Sequence, residues 1–342
     1  MVSEAPPFWW EPADWRAAAL YPVSSLYGLV AGRRMETARR EKLDAPVLCV
    51  GNLTVGGAGK TPVAIALAKA AVSAGHRPGF LSRGHGGSLR HPHLVDAAND
   101  SARQVGDEPL LLAAQAPTAV TPNRAAGAKL LVETGCDFLI MDDGFQSARV
   151  HFDYALLVVD SRRGIGNGHV IPAGPMRAPL IAQLRHADAV LKMGEGHAAD
   201  AVIRMAARAG KPVLEARAVA RDAESLSSRR FLAFAGIGDP QKFFDTVAAS
   251  GGEVILSRAF PDHHPYRDEE LADLSAAAQS DGLDLVTTAK DAARLRHGTT
   301  LAQAFLANLQ VLEIETVFDP DTVPGRIVRQ TVEAWRQRRL QG

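Results

Sequence analysis

Cysteine is almost missing from this chain, and several other signals are missing with it. Its 342 residues hold two cysteines, Cys49 and Cys136, and neither has a metal-ligand neighbour at close spacing, which excludes a cysteine-built metal site. Both read as small core residues of a protein in a reducing compartment. Net charge is absent too: Lys plus Arg and Asp plus Glu number 38 each. That argues against a global polyanion-binding surface, so nucleic acid is not an expected partner and any basic patch must be local. No apolar run reaches the ~18 residues that a spanning helix requires, and no secretory signal is present. Nothing in the chain is expected to cross a membrane.

What is present is an ordinary globular composition, 46% apolar and 22% charged, with ample core material. The length exceeds a usual single core and predicts two domains. Aromatic residues are few, 6% of the chain, but crowded at one end. Trp9, Trp10, Trp15, Tyr21 and Tyr27 all precede residue 28, among Phe8, Leu20, Leu26, Leu29 and Val30, and Arg33, Arg34, Arg39, Arg40 and Lys42 follow. Indole rings favour the headgroup boundary and cations favour anionic lipid, so an interfacial helix is one reading. A helix packing its aromatic face on the protein is the other.

The chain is organised around VLCVGNLTVGGAGKTP, residues 47–62. Apolar residues 47–50 run into a glycine-rich turn, and an apolar-periodic helix follows at 63–74: strand, phosphate loop, helix. In such a loop Thr54, Gly56, Gly57, Ala58 and Gly59 offer backbone N–H groups to phosphate oxygens, Lys60 reaches the β/γ-phosphates, and the Thr61 hydroxyl can ligate Mg²⁺. The strict pattern wants glycine where Thr54 stands, which leaves room for a loop that differs in detail. A second apolar strand ends in acid at Asp142 and Asp143, where carboxylates at the sheet edge can hold Mg²⁺ or its waters.

Further strands are predicted at 78–82, 117–121, 154–160, 189–193 and 212–220, with a helix at 123–134, giving a mostly parallel sheet. The glycine- and proline-rich stretch 163–177 is too long for a plain connection and can hold substrate. A second series of strands (231–237, 253–260, 285–288) and helices (240–250, 268–280) builds a smaller α/β unit, and the tail 324–339 has helical periodicity. Phosphoryl transfer to a hydroxyl also needs a group to take its proton. Asp107, in Gly106-Asp107-Glu108-Pro109, and His263, in the PDHHPY loop, are the candidates; singly, each reads as readily as an N-cap aspartate or a solvated histidine.

Taken together, GNLTVGGAGKTP, SRGHGG (82–87), VGDEPLLLA (105–113), MDDGFQ (141–146), IPAGPMR (171–177), FPDHH (260–264) and TTAKDAARL (287–295) occur in an order that resembles the tetraacyldisaccharide 4′-kinase family of lipid A biosynthesis, over nearly the whole chain. The resemblance implies an α/β protein, a P-loop NTPase-like, mostly parallel sheet flanked by helices with a second, smaller α/β domain. It implies an ATP- and Mg²⁺-dependent kinase acting on the 4′-hydroxyl of a lipid disaccharide 1-phosphate, peripherally attached to the cytoplasmic face of the bacterial inner membrane, with no obligate protein partner evident. Lys60 and Thr61 then serve phosphates and metal, Asp142 and Asp143 the metal, and Asp107 with His263 forms a catalytic dyad, the aspartate as base and the histidine orienting it. His85 replaces the family's usual Tyr, and Ala289 its common Glu; neither is expected to touch the catalytic groups. The expected segments are a membrane-associating stretch at 1–45, a nucleotide-binding kinase domain at 46–225 and a smaller domain at 226–342 whose last helix can return to the first. The rival readings are a P-loop GTPase or regulatory ATPase without a lipid substrate, and a non-catalytic nucleotide-binding module. Guanine recognition usually wants N-K-x-D, and the nearest run, Ala289-Lys290-Asp291-Ala292, lacks its Asn and second Asp.

Overall fold

The computed structural model describes residues 5–147 and 149–341; residues 1–4, 148 and 342, which include the outer ends of the first and last expected segments, lie outside the described residues. Nine strands form a large sheet: β1 Val47–Asn52, β2 Pro78–Ser82, β3 His93–Leu94, β4 Thr118–Val120, β5 Phe138–Asp142, β6 Tyr154–Asp160, β7 Ala189–Met193, β8 Val213–Ala220 and β13 Ile314–Asp319. Their order is β13-β8-β7-β6-β1-β5-β2-β4-β3, with only the two edge strands β3 and β13 antiparallel to their neighbours. A second, all-parallel sheet runs β10-β9-β11-β12, from β9 Arg230–Ala235, β10 Glu253–Ala259, β11 Asp284–Thr288 and β12 Gln310–Leu312.

The helices are α1 Trp15–Thr37, α2 Lys60–Ser73, α3 Ala102–Val105, α4 Asp107–Ala113, α5 Arg124–Glu133, α6 Leu180–Arg185, α7 Asp200–Arg208, α8 Pro240–Ala249, α9 Asp268–Asp281, α10 Ala289–Arg296, α11 Thr300–Ala307 and α12 Val323–Gln341. Central strands β1, β5 and β6 are buried at every position, as a parallel sheet covered on both faces requires. Leu67 and Val63 of α2, Ile327 and Val328 of α12, and Phe80, Phe138 and Ile140 of the sheet share one core. Each such side chain contributes roughly 1.5–3 kcal/mol by leaving water.

The chain leaves the large sheet after β8 and re-enters it at β13, which pairs with β8 over Ile314–Asp319. Of the expected segment 226–342, therefore, only the part up to β12 builds the second sheet; β13 and α12 belong with the first. The body carrying the second sheet also meets the first through ion pairs beside α8: Lys242 to Asp160 at 2.6 Å, Arg162 to Asp245 at 2.8 Å and Arg163 to Asp239 at 3.1 Å.

At the N-terminus some of the aromatic residues pack on the protein and others do not. Phe8 and Trp9 are buried, and Trp9 Nε1 donates to the Pro172 carbonyl at 3.0 Å. Along α1, Ser24, Gly28, Gly32 and Met35 face the protein; a Cβ on Gly28 would already touch Pro179 at 3.5 Å, so small residues set this approach. The other face is open, with Trp15 75%, Leu26 65% and Leu29 67% exposed and Tyr21, Val23 and Val30 beside them. No described helix is long and apolar enough to cross a membrane.

Candidate active site

The phosphate loop begins where β1 runs out of apolar residues. Gly59 takes the left-handed conformation (φ 80°) and caps α2, whose first residues are Lys60 and Thr61. Nothing lies within 4 Å of a Cβ built on Gly56 or Gly57, so this stretch of backbone faces open space, while Ala58 is buried beneath it. Thr54 is buried and bridges to Met176, and Val55 N–H donates to the Pro175 carbonyl at 2.9 Å. Thr54 is not among the described residues with positive φ, so the departure from the strict pattern carries no backbone penalty. The long segment 163–177 is thus partly a clasp on the phosphate loop.

β5 lies beside β1 in parallel register, Val50 opposite Asp142, and so delivers its acids next to Lys60 and Thr61. Thr61 Oγ1 donates to Asp142 Oδ2 at 3.1 Å, while the buried Asp142 Oδ1 has no hydrogen-bond partner. Burial and the nearby Glu108 carboxylate, opposed by Lys60 and reinforced by Asp143, push Asp142 up to about 7. A buried, half-satisfied carboxylate beside a hydroxyl fits a hard oxygen-seeking dication. Among the described residues no group of three or more His, Cys, Asp or Glu side chains could hold a metal. Thr61 and Asp142 alone could supply two oxygen ligands to such a cation.

Asp143 is placed differently. It sits at φ 53°, and Arg177 forks onto both its oxygens at 2.5 and 3.0 Å, with Lys60 Nζ 3.8 Å away. Burial opposes its charge, yet Lys60, Arg177 and Arg124 hold it well below the usual carboxylate range. Arg124, buried at the start of α5, donates to the Asp143 carbonyl at 2.8 Å. The sequence reading missed the parts played by Arg177 and Arg124. Arg177 stood in the quoted IPAGPMR run, but nothing in the sequence says which carboxylate it reaches; Arg124 carried no signal beyond its place at a helix start.

Across the cleft, α4 begins at Asp107 because Gly106 adopts φ 93°, and a Cβ there would come within 2.6 Å of the His85 carbonyl. His263, itself at φ 59°, brings Nδ1 to 3.3 Å from Asp107 Oδ2. The two residues thus meet, with the histidine on the cleft side and the aspartate behind it. The Asp107 side chain is 2% exposed and that of His263 21%, and His263, not Asp107, lines the cleft. Burial disfavours the Asp107 charge, but the His263 hydrogen bond and the Lys290 and Arg294 cations outweigh it and hold the carboxyl far below its ordinary value. The Asp107 hydrogen bond raises His263 above the ordinary histidine value against the effect of burial. Lys290 also reaches Glu108 at 2.6 Å. The His85 ring lies 5.6 Å from the His263 ring, so this substituted position, expected to stand clear of the catalytic groups, neighbours one of them.

Between these two walls runs a cavity of about 2210 Å³, lined by Gly56, Lys60 and Thr61 on one side and by His263 and Lys290 on the other. Asp291, in the run compared with a guanine-reading motif, is buried and occupied by Arg294 at 2.5 Å and Tyr266 at 2.8 Å, which leaves it turned away from any base.

Similarity to known proteins agrees with this geometry. The family model described as LpxK, tetraacyldisaccharide-1-P 4′-kinase, matches residues 16–332. A tetraacyldisaccharide 4′-kinase of Mesorhizobium japonicum is 66% identical over 99% of both chains, and that of Chelativorans sp. 57% identical over 99% of both. The crystal structure of LpxK from Aquifex aeolicus in complex with ATP superposes with a TM-score of 0.71 at 25% identity, covering 92% of this chain and 99% of that one. A phosphate loop, an acid-ended neighbouring strand and a matching sequence along almost the full length lead to one conclusion: the chain belongs to the tetraacyldisaccharide 4′-kinase family.

Proposed function

We propose that this kinase transfers the γ-phosphoryl group of ATP to the 4′-hydroxyl of a tetraacyl disaccharide 1-phosphate, a lipid A precursor. The observation that carries the reading is His263, backed by the buried Asp107, facing the phosphate loop across the cleft. A switch GTPase or a passive nucleotide-binding module has no use for a buried acid–imidazole pair there.

In this reading the loop amides at Gly56, Gly57, Ala58 and Gly59, with Lys60, hold the β/γ oxygens, and Arg177 and Arg124 add positive potential at the cleft floor. Thr61 and Asp142 would hold Mg²⁺, which when bound neutralises developing charge and orients the phosphates. Asp143, already forked by Arg177, keeps that arginine and Lys60 in place. With its Nδ1–H donating to Asp107, His263 presents Nε2 as the acceptor for the hydroxyl proton. The O4′–Pγ bond forms, the bond from Pγ to the β-bridging oxygen breaks, ADP leaves, and the proton rests on His263 beside the Asp107 anion. Phosphate transfer from ATP to purified tetraacyl disaccharide 1-phosphate, with GTP as competitor, tests the reading; turnover on GTP alone, or none on the lipid, would overturn it.

The lipid acceptor also gives the open face of α1 an occupant, the anionic cytoplasmic leaflet of the inner membrane. Trp15, Tyr21, Leu26, Leu29 and Val30 would enter the interface, with Arg33 and Arg34 near the headgroups. Because Phe8 and Trp9 pack on the protein, substitution tests this better than truncation. Leu26→Glu with Leu29→Glu should abolish sedimentation with phosphatidylglycerol vesicles at low salt, and binding equal to the parent would remove α1 from the membrane.

A further inference from the structure

The TTAKDAARL run is one part of the sequence that the mechanism leaves without a task beyond Lys290. Its residues form a buried cluster at the start of α10. Thr288 caps the helix by accepting from Asp291 N–H and donates to Asp291 Oδ2 at 2.6 Å. Asp291 is fully buried and accepts in addition from Tyr266 Oη and the Gly236 N–H. Against this fixed carboxylate stands Arg294, with a side chain 8% exposed. Its Nη1 donates to Asp291 Oδ1 at 2.5 Å and to the Gly236 carbonyl at 2.7 Å. Its remaining donors, Nε at 3.1 Å and Nη2 at 2.5 Å, both converge on Asp107 Oδ2, 187 positions away in sequence and on the other body of the molecule.

We propose that Arg294 is the positioning residue of the proton-handling pair: anchored by Asp291 and Gly236, it grips the Asp107 carboxylate and aims it at His263. The inference rests on the proposed role of Asp107 and His263. It deepens that role by saying what fixes their geometry. Asp107 Oδ1 takes the N–H of Glu108 at 3.0 Å, so Oδ2 is the oxygen left to meet both Arg294 and His263. A guanidinium held at three points allows the carboxylate little rotation, whereas a lysine ammonium would fix charge without direction. The charges around the pair also fit the task. Asp107, Glu108 and Asp291 are three carboxylates facing two permanent cations, Lys290 and Arg294, so a proton arriving on His263 meets a net negative surrounding. The other groups facing the imidazole are His85 from the loop after β2 and Asp262 of its own loop, whose Oδ2 lies 3.8 Å from Nε2. Because α10 belongs to the body of the second sheet and α4 packs against the first, Arg294 also ties formation of the pair to apposition of the two bodies.

The full-length protein with Arg294→Met and with Arg294→Lys tests this. For Arg294→Met, kcat should fall about 100-fold, with the KM for ATP within about threefold of the parent. Removing the cation leaves Asp107 uncompensated, so His263 holds its proton more tightly and the acid limb of the pH–kcat/KM profile should move up by about one pH unit. Arg294→Lys restores the charge without the fork; its limb should return to the parent position while kcat stays about tenfold low. A limb unmoved in Arg294→Met, or a Lys variant as fast as the parent, overturns the inference. If Arg294→Met does not fold, the lysine variant alone decides, since full activity there excludes directional gripping. His263→Gln separates the two levels: if its residual activity keeps the parent's acid limb, the underlying pair is wrong whatever Arg294 does. If the limb vanishes there yet stays fixed in Arg294→Met, only the arginine's role falls.

Discussion

The floor of the cleft and its far wall are built by different means. On the floor, Lys60, Thr61, Asp142 and Asp143 come from two adjacent parallel strands and the helix that one of them feeds, so a single sheet register aligns them. On the far wall, Asp107 stands on α4, while His263, Lys290 and Arg294 arrive from the other body. The floor is therefore complete within one sheet. The wall exists only while two bodies touch, and its members should be lost together when the bodies part, where the floor residues should not.

The largest effect expected is on the wall. Asp107→Ala and His263→Ala should each lower kcat about 10³-fold with little change in the KM for ATP, and the double variant should be scarcely worse than the poorer single one. Multiplicative losses in that cycle would break the comparison. In the parent enzyme kcat/KM should rise with pH along a limb above the ordinary histidine value, because Asp107 raises His263 and only the neutral imidazole accepts a proton. The sign for stability is opposite: the contact contributes fully while His263 is protonated and is lost as pH rises through its raised value. Chemical denaturation across that range would detect this.

Next comes the floor. Lys60→Ala should cost about 3 kcal/mol of transition-state stabilisation while leaving the fold intact, measured by kcat/KM and thermal melting; turnover within threefold of the parent would remove the lysine from the site. Asp142→Asn should raise the Mg²⁺ concentration for half-maximal activity about tenfold or more, since a neutral amide is a poorer ligand, and Asp143→Asn should shift it less. Equal shifts would mean that the two acids act together. The smallest effect on catalysis is expected beside α8, where Lys242→Ala breaks the ion pair of a partly exposed lysine with the buried Asp160 carboxylate. It should cost about 1–3 kcal/mol in unfolding, because a buried carboxylate loses a partner, and leave the Asp107–His263 coupling unchanged. Lost coupling there would make those ion pairs part of the wall.

The same contrast explains what was legible in the sequence. The floor could be read because strand, loop and helix are contiguous and the second acid motif ends a plainly apolar strand. The wall needed a fold: Asp107 and His263 carried ordinary readings singly and joined only through a family resemblance, and the order in which they face the cleft follows from burial that no spacing encodes. Arg124, Arg177 and Arg294 went unassigned because an arginine's partner depends on where a long side chain finds a carboxylate in space. On α1 the reading of a helix packed on the protein describes one face, where Ser24, Gly28 and Gly32 repeat every four residues, while the large apolar residues crowd the other and leave the interfacial reading as a proposal. The return of β13 was missed because an edge strand with only Phe318 buried gives a weak pattern.

That return has a consequence for how the protein is made. Synthesis runs from the N-terminus, so β8 leaves the ribosome with one flank unpaired and waits for roughly ninety residues before β13 arrives to cover it. During that interval α2 also lacks α12, whose Ile327, Val328 and Val332 seal the core beneath it. The second sheet, whose strands all fall inside that gap, can mature first, and the nucleotide-binding sheet is finished last although it begins first. Nascent chains halted before residue 314 should accordingly be protease-sensitive in the large sheet while the intervening segment resists, a vectorial order set by one antiparallel edge strand.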